Sequence, residues 1–142
     1  MTKLITLLMT LAIFDPVSLK LSSQPFQVIV NASNPVVSVN RQFLADAFLK
    51  RITRWPDDKM IEPVDLSPES EVRRKFSEGI LKRSVYLIKN YWQQNIFSGH
   101  DVPPPELGTD AKVVEFVQQH ANAVGYVSTD TQITGVKVIP VE

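Results

Sequence analysis

The sequence contains no cysteine. Disulfide scaffolds, thiol nucleophiles, cysteine-ligated zinc and cysteine-anchored lipoproteins are thereby excluded. Histidine is scarce: only His100 and His120 are present, too far apart to supply the clustered ligands of a metal site. The five glycines form neither Gly-x-Gly-x-x-Gly nor Gly-x-x-x-x-Gly-Lys, so no dinucleotide or P-loop fingerprint exists. A Gly-x-Ser-x-Gly elbow is also missing, and no nucleophile–base–orienter set is visible, which argues against an enzyme. An excess of one charge is lacking too, because 15 Lys and Arg balance 15 Asp and Glu. Binding to nucleic acid through bulk electrostatics is therefore not expected. No apolar run reaches the roughly 20 residues of a membrane span.

What the chain does have is the size of one domain. Its 142 residues, 44% of them hydrophobic, fit a single globular unit. The amino end reads as an address. Lys3 precedes an apolar stretch from Leu4 to Phe14 that only Thr6 and Thr10 interrupt, and Asp15-Pro16 ends it. A cationic start before 7–15 apolar residues is the outline of a secretory signal. Residues 1–23 are therefore expected to be a signal peptide, and 24–142 a single α/β domain. Removal of Lys3, Asp15 and Lys20 would leave a mature net charge of −1. No membrane span is expected in the mature form.

Within 24–142, Phe26 to Val30 is a β-branched apolar run bounded by Pro25 and Asn31-Ala-Ser-Asn-Pro35, which predicts a buried strand and a turn. Phe43, Leu44, Ala47 and Phe48 fall on one helical stripe, with Ser38 as the expected cap. Trp55-Pro56-Asp57-Asp58 predicts a loop with the indole folded back as an apolar lid. The two aspartates could hold a cation, although acidic turn residues are commonplace. Met60 to Leu66 reads as a strand that Pro63 would place at an edge.

Ser67-Pro68 predicts a helix start, with Val72, Phe76 and Ile80 inward and Arg73, Arg74 and Lys75 mostly on a solvated face. Ser84 caps a third helix with Leu87, Ile88, Tyr91 and Trp92 on its apolar side. Asp101 to Gly108, with three consecutive prolines, predicts a stiff connection. Thr109 caps a fourth helix carrying Val113, Val114 and Val117, and Asn122 suits its left-handed end. His120 falls where it can meet the last carbonyls. Val124 to Ser128 and Val136 to Val141 are further strands. The order β–α–β–α–α–α–β–β predicts a mixed, mostly parallel sheet flanked by helices.

The succession Val28-Ile-Val-Asn31, Phe48-Leu49 with Ile52-Thr53-Arg54-Trp55-Pro56-Asp57, Tyr91-Trp92 and Val124-Gly125-Tyr126-Val127 resembles the phosphate-binding proteins of ABC transporters. Phe97-Ser98-Gly99 and its following prolines look like a short, exported subgroup related to them. The resemblance implies one periplasmic-binding-protein-like lobe and a periplasmic or otherwise exported location. It also implies phosphate or another small oxyanion as ligand, and no cofactor. That family encloses its ligand between two lobes, whereas this length suits one, so a homodimer or a separate partner protein would complete a cleft.

The family's Ser-Gly-Thr element, anchored on Phe76, falls on Ser70, Glu71 and Val72, and its arginine falls on Leu66. Only Ser70 keeps that chemistry. Ser67, Ser70 and an inward-turned Arg73 are the resulting oxyanion-site residues. A purely structural account has both serines capping the helix and Arg73 paired with a neighbouring glutamate. Asp65, Glu69 and Glu71 crowd the same helix start with negative charge. The competing functional reading is an exported interaction module that kept the fold and lost the ligand, with Trp55, Tyr91, Trp92 or Phe97 contacting a partner where exposed.

Overall fold

The structure is a computed structural model that describes residues 25–142. The expected signal segment lies outside these residues. The elements are β1 (Phe26–Asn31), α1 (Arg41–Phe48), β2 (Glu62–Pro63), β3 (Asp65–Leu66), α2 (Glu71–Phe76), α3 (Val85–Phe97), β4 (Glu106–Leu107), α4 (Asp110–Gln119), β5 (Ala123–Ser128) and β6 (Val136–Ile139). A π-helical turn, Ser77–Leu81, continues α2.

This is an α/β lobe with a mixed sheet and helices packed on it. The main sheet has the order β2-β5-β1-β6. Its balance differs from the expected parallel one. β5 and β6 flank β1, and both run antiparallel to it, with Val28 opposite Tyr126 on one side and Ile139 on the other. Only the short β2–β5 pairing in that sheet is parallel. Alternation of helices and strands does not reveal this, because the last two strands choose their partner across almost the whole chain. Pro63 does lie in an edge strand, where its missing N–H costs no ladder bond. The expected strand over Met60–Leu66 splits at Val64, whose N–H still reaches the Val124 carbonyl at 2.9 Å. Its second half, β3, pairs in parallel with β4, a strand that the proline-rich segment concealed.

Caps set the helix positions. Ser38 does not cap α1, because Val39 forms a bridge to Val141; Asn40 is the cap and accepts from the Gln42 and Phe43 N–H groups. Ser67 does not cap α2 either. Its N–H donates to the Leu107 carbonyl, prolonging the β3–β4 ladder, and its carbonyl accepts from Ser70 N–H in a turn. Pro68 occupies that turn, and Ser70 caps the helix through the Arg73 N–H at 3.2 Å. Ser84 and Thr109 cap α3 and α4 as expected. Helix α4 ends earlier than expected: His120 is already extended, so Asn122 is not its left-handed terminus. The Asn122 carbonyl instead accepts from Glu62 N–H and from the Trp55 indole.

The core joins these elements. Val113 and Val117 of α4 are sealed against β5, where Gly125 permits the approach: a Cβ there would stand 2.7 Å from Val113 Cγ1. On α3, Ile88 and Trp92 are buried while Leu87 is exposed. Trp55 is buried, stacked on Phe43. Phe76 lies flat on Tyr126, with centroids 3.8 Å apart, and Phe26 and Phe48 pack against both rings. This aromatic cluster directs the Tyr126 hydroxyl toward β3.

Candidate functional site

Register brings two acids together. Asp65 of β3 and Glu106 of β4 are paired residues of the short parallel ladder. Capped at Ser70, α2 turns Arg73 toward that ladder, so the arginine is inward rather than on the solvated face. Its side chain is only 5% exposed. Nη1 donates to the Leu66 carbonyl at 2.5 Å and to Glu106 Oε2 at 2.8 Å, and lies 3.2 Å from Asp65 Oδ1. Nε is buried without a hydrogen-bond partner. Arg74, by contrast, is half-exposed and bridges Glu71 and Glu78 on the helix surface.

Asp65 is the deepest acid of the group. It accepts from the Tyr126 hydroxyl and, at 3.1 Å, from its neighbour's N–H at Leu66. Burial pushes its carboxyl up to about 6, and the attraction of Arg73 and these hydrogen bonds reverses only part of that. Tyr126 is held well above the ordinary phenol range, first by burial and then by the Asp65 charge. For Arg73, burial works against the charged form, but Asp65, Tyr126 and Glu106 outweigh it and the guanidinium stays protonated.

Asp65, Arg73 and Glu106 line a cavity of about 440 Å³. The lining also has an apolar part: Val85, Tyr86, Trp92 and Ile96 from α3, and Pro103 and Pro104 from the connection before β4. Glu69, Lys89 and Gln93 complete the polar lining.

Of the three residues expected from the sequence, Arg73 lines this cavity and the two serines do not. Ser70 meets Arg73 through its backbone, as the cap, and the Ser67 hydroxyl donates to Glu69. Glu106, a partner of Arg73, and Tyr126, a partner of Asp65, are the residues that sequence reasoning missed, since only the β3–β4 register and the aromatic cluster bring them to this pair.

Elsewhere, the histidines and acidic turn are locally engaged. His120 stacks on Phe116 and its Nδ1 lies 2.7 Å from that residue's carbonyl, as its position at the helix end implied. His100 Nδ1 meets the Ser98 hydroxyl. Asp57 and Asp58 pair with Lys59 and Arg54. Among the described residues no group of three or more metal-ligating side chains occurs, and no helix is long and apolar enough to cross a membrane. Several apolar side chains are exposed around the cavity's helix, namely Tyr86, Leu87, Ile96, Phe97 and, beyond it, Val102.

No protein-family model matches the sequence, and no curated protein sequence matches it. Solved structures do share its fold. An ABC-type phosphate transport receptor from Vibrio cholerae superposes with a TM-score of 0.64 at 20% identity, over 82% of this chain and 46% of the receptor. PstS from Borrelia burgdorferi superposes with a TM-score of 0.64 at 12% identity, over 83% of this chain and 47% of its own. The chain spans less than half the length of either protein. At these identities the likeness is one of fold: the chain has the architecture of a lobe found in phosphate-binding proteins.

Proposed function

We propose that the protein is an exported, solute-binding-protein-like lobe that takes a small oxyanion, phosphate or another, weakly at Arg73. One observation carries this reading: a buried guanidinium forms part of the wall of a cavity in a fold shared with phosphate receptors. A planar, permanently charged fork suits an oxyanion. In this reading Arg73 makes the contact, and Ser67 and Ser70 shape the turn and cap that hold it in place. Affinity is low because Glu106 already occupies Nη1 and because Asp65 and Glu69 add negative charge to the lining. A single open lobe also leaves the ligand wetted, so a homodimer or a partner protein facing the cavity would tighten binding.

Calorimetry with phosphate and sulfate at millimolar concentration tests the site. Heat that saturates in that range supports it, and no heat with either ion refutes it. Light scattering after size exclusion, with and without phosphate, tests completion by a second copy: a phosphate-dependent dimer supports that arrangement, and an indifferent monomer removes it.

The second reading, an exported interaction module that kept the fold without the ligand, is favoured by Phe97. Its ring is 95% exposed at the end of α3, beside exposed Ile96. Aromatic residues standing clear of the core are the usual anchors of protein interfaces.

A further inference from the structure

We infer that the Arg73 cavity selects a small organic monocarboxylate with an apolar body, which binds by replacing Glu106 on the guanidinium. This rests on the oxyanion reading of the cavity and specifies its ligand.

The first support is the contact already present. Glu106 is a carboxylate resting 2.8 Å from Arg73 Nη1, yet its side chain is 42% exposed. Water can solvate it once it turns outward, so releasing it costs far less than releasing buried Asp65. Among the described residues the polar contacts of the guanidinium fall on Nη1 and none on Nη2, while Nε, also unpartnered, is sealed from the cavity. A carboxylate free of the β4 backbone therefore pairs with Nη1 and Nη2 together, a two-point contact that Glu106 does not make.

The second support is charge. Exchanging one carboxylate for another keeps the local balance around Asp65 and Arg73 unchanged. A phosphate dianion would instead add negative charge to a lining that already holds Asp65 and Glu69, with Lys89 as the one other cation there among the described residues. The third is the apolar wall. An inorganic ion would leave the exposed Tyr86 and Ile96 surfaces wet, whereas an acyl or aromatic body covers them. A cavity of about 440 Å³ is within the range of small-molecule sites.

The test is calorimetric titration of the protein and its Glu106→Gln variant with hexanoate, acetate and inorganic phosphate. Glu106 is half-exposed, so the variant retains the core. Hexanoate is expected to bind at least about tenfold tighter than acetate, through its buried methylenes. Glu106→Gln is expected to tighten hexanoate by about two- to fivefold, the competition of a partly exposed carboxylate. Equal binding of hexanoate and acetate, or hexanoate affinity unmoved by Glu106→Gln, overturns the inference. If phosphate binds as tightly as hexanoate, the carboxylate assignment fails while the oxyanion site stands. If no anion binds either protein, the oxyanion reading itself fails.

Discussion

Asp65, buried with Arg73 and Tyr126, has a measurable signature in the pH dependence of stability. Its carboxyl moves from 3.8 to about 6 on folding, chiefly through burial. Below pH 3.8 folded and unfolded chains both carry the proton; between there and about 6 only the folded chain does. Unfolding across that window releases a proton, so the stability associated with neutral Asp65 is complete at low pH and lost as pH rises through about 6. The shift corresponds to about 3 kcal/mol. Asp65→Asn keeps the shape and an acceptor for the Tyr126 hydroxyl but does not titrate. Urea unfolding of both proteins at pH 4, 5, 6 and 7 is the assay. Relative to the variant, the wild type is expected to lose up to about 3 kcal/mol between pH 4 and 7. Glu69 and Glu71, held low by the Ser67 hydroxyl and by Arg74, act in the opposite direction at lower pH. Being present in both proteins, they cancel in the difference. Parallel pH profiles for the two proteins would refute the burial of an ionisable acid at this position.

Four further substitutions test the scaffold. Gly125→Ala places a methyl against Val113 and Val64 and is expected to cost about 1–3 kcal/mol, seen as a lower urea midpoint. Ser70→Ala removes the cap of α2 and is expected to cost about 1 kcal/mol. Ser67→Ala loses only an exposed contact to Glu69 and is expected to stay within about 0.5 kcal/mol; the reverse order in thermal melts would restore Ser67 as the cap. Phe97→Ala is expected to leave stability within about 0.5 kcal/mol, because the ring touches solvent; a larger loss by calorimetry would place it in an interface already present in solution.

The readable parts of this fold are those decided locally. Thr109 followed by Val113, Val114 and Val117 signals both the start and the buried stripe of α4, and Ser84 does the same for the start of α3. Pro63 marks an edge strand because a missing donor is tolerated there. Where a side chain or backbone group is claimed by a distant partner, the local pattern misleads. Ser67 has the chemistry of a cap, but its backbone belongs to a ladder with Leu107. Arg73 sits in a basic run that reads as a solvated face. Its direction is settled by Asp65 and Glu106, which meet only through a pairing between residues 65–66 and 106–107. Two-residue strands leave no periodicity to detect.

The same long-range pairing explains why the charge around Arg73 bears on the proposed ligand. A buried ion pair is a weak source of net stability, since apolar residues of similar volume often do as well. One guanidinium held by Asp65 alone would satisfy the need to pair a buried charge. Glu106 is a second acid on the same nitrogen, half in water and lining a cavity that also has apolar residues. Its contribution to stability is therefore small, and its effect on what else reaches Arg73 is large. An acid in that position raises the threshold for any anion and raises it most for a multiply charged one. In the proposed reading that threshold at Arg73 traces to one half-exposed side chain on β4.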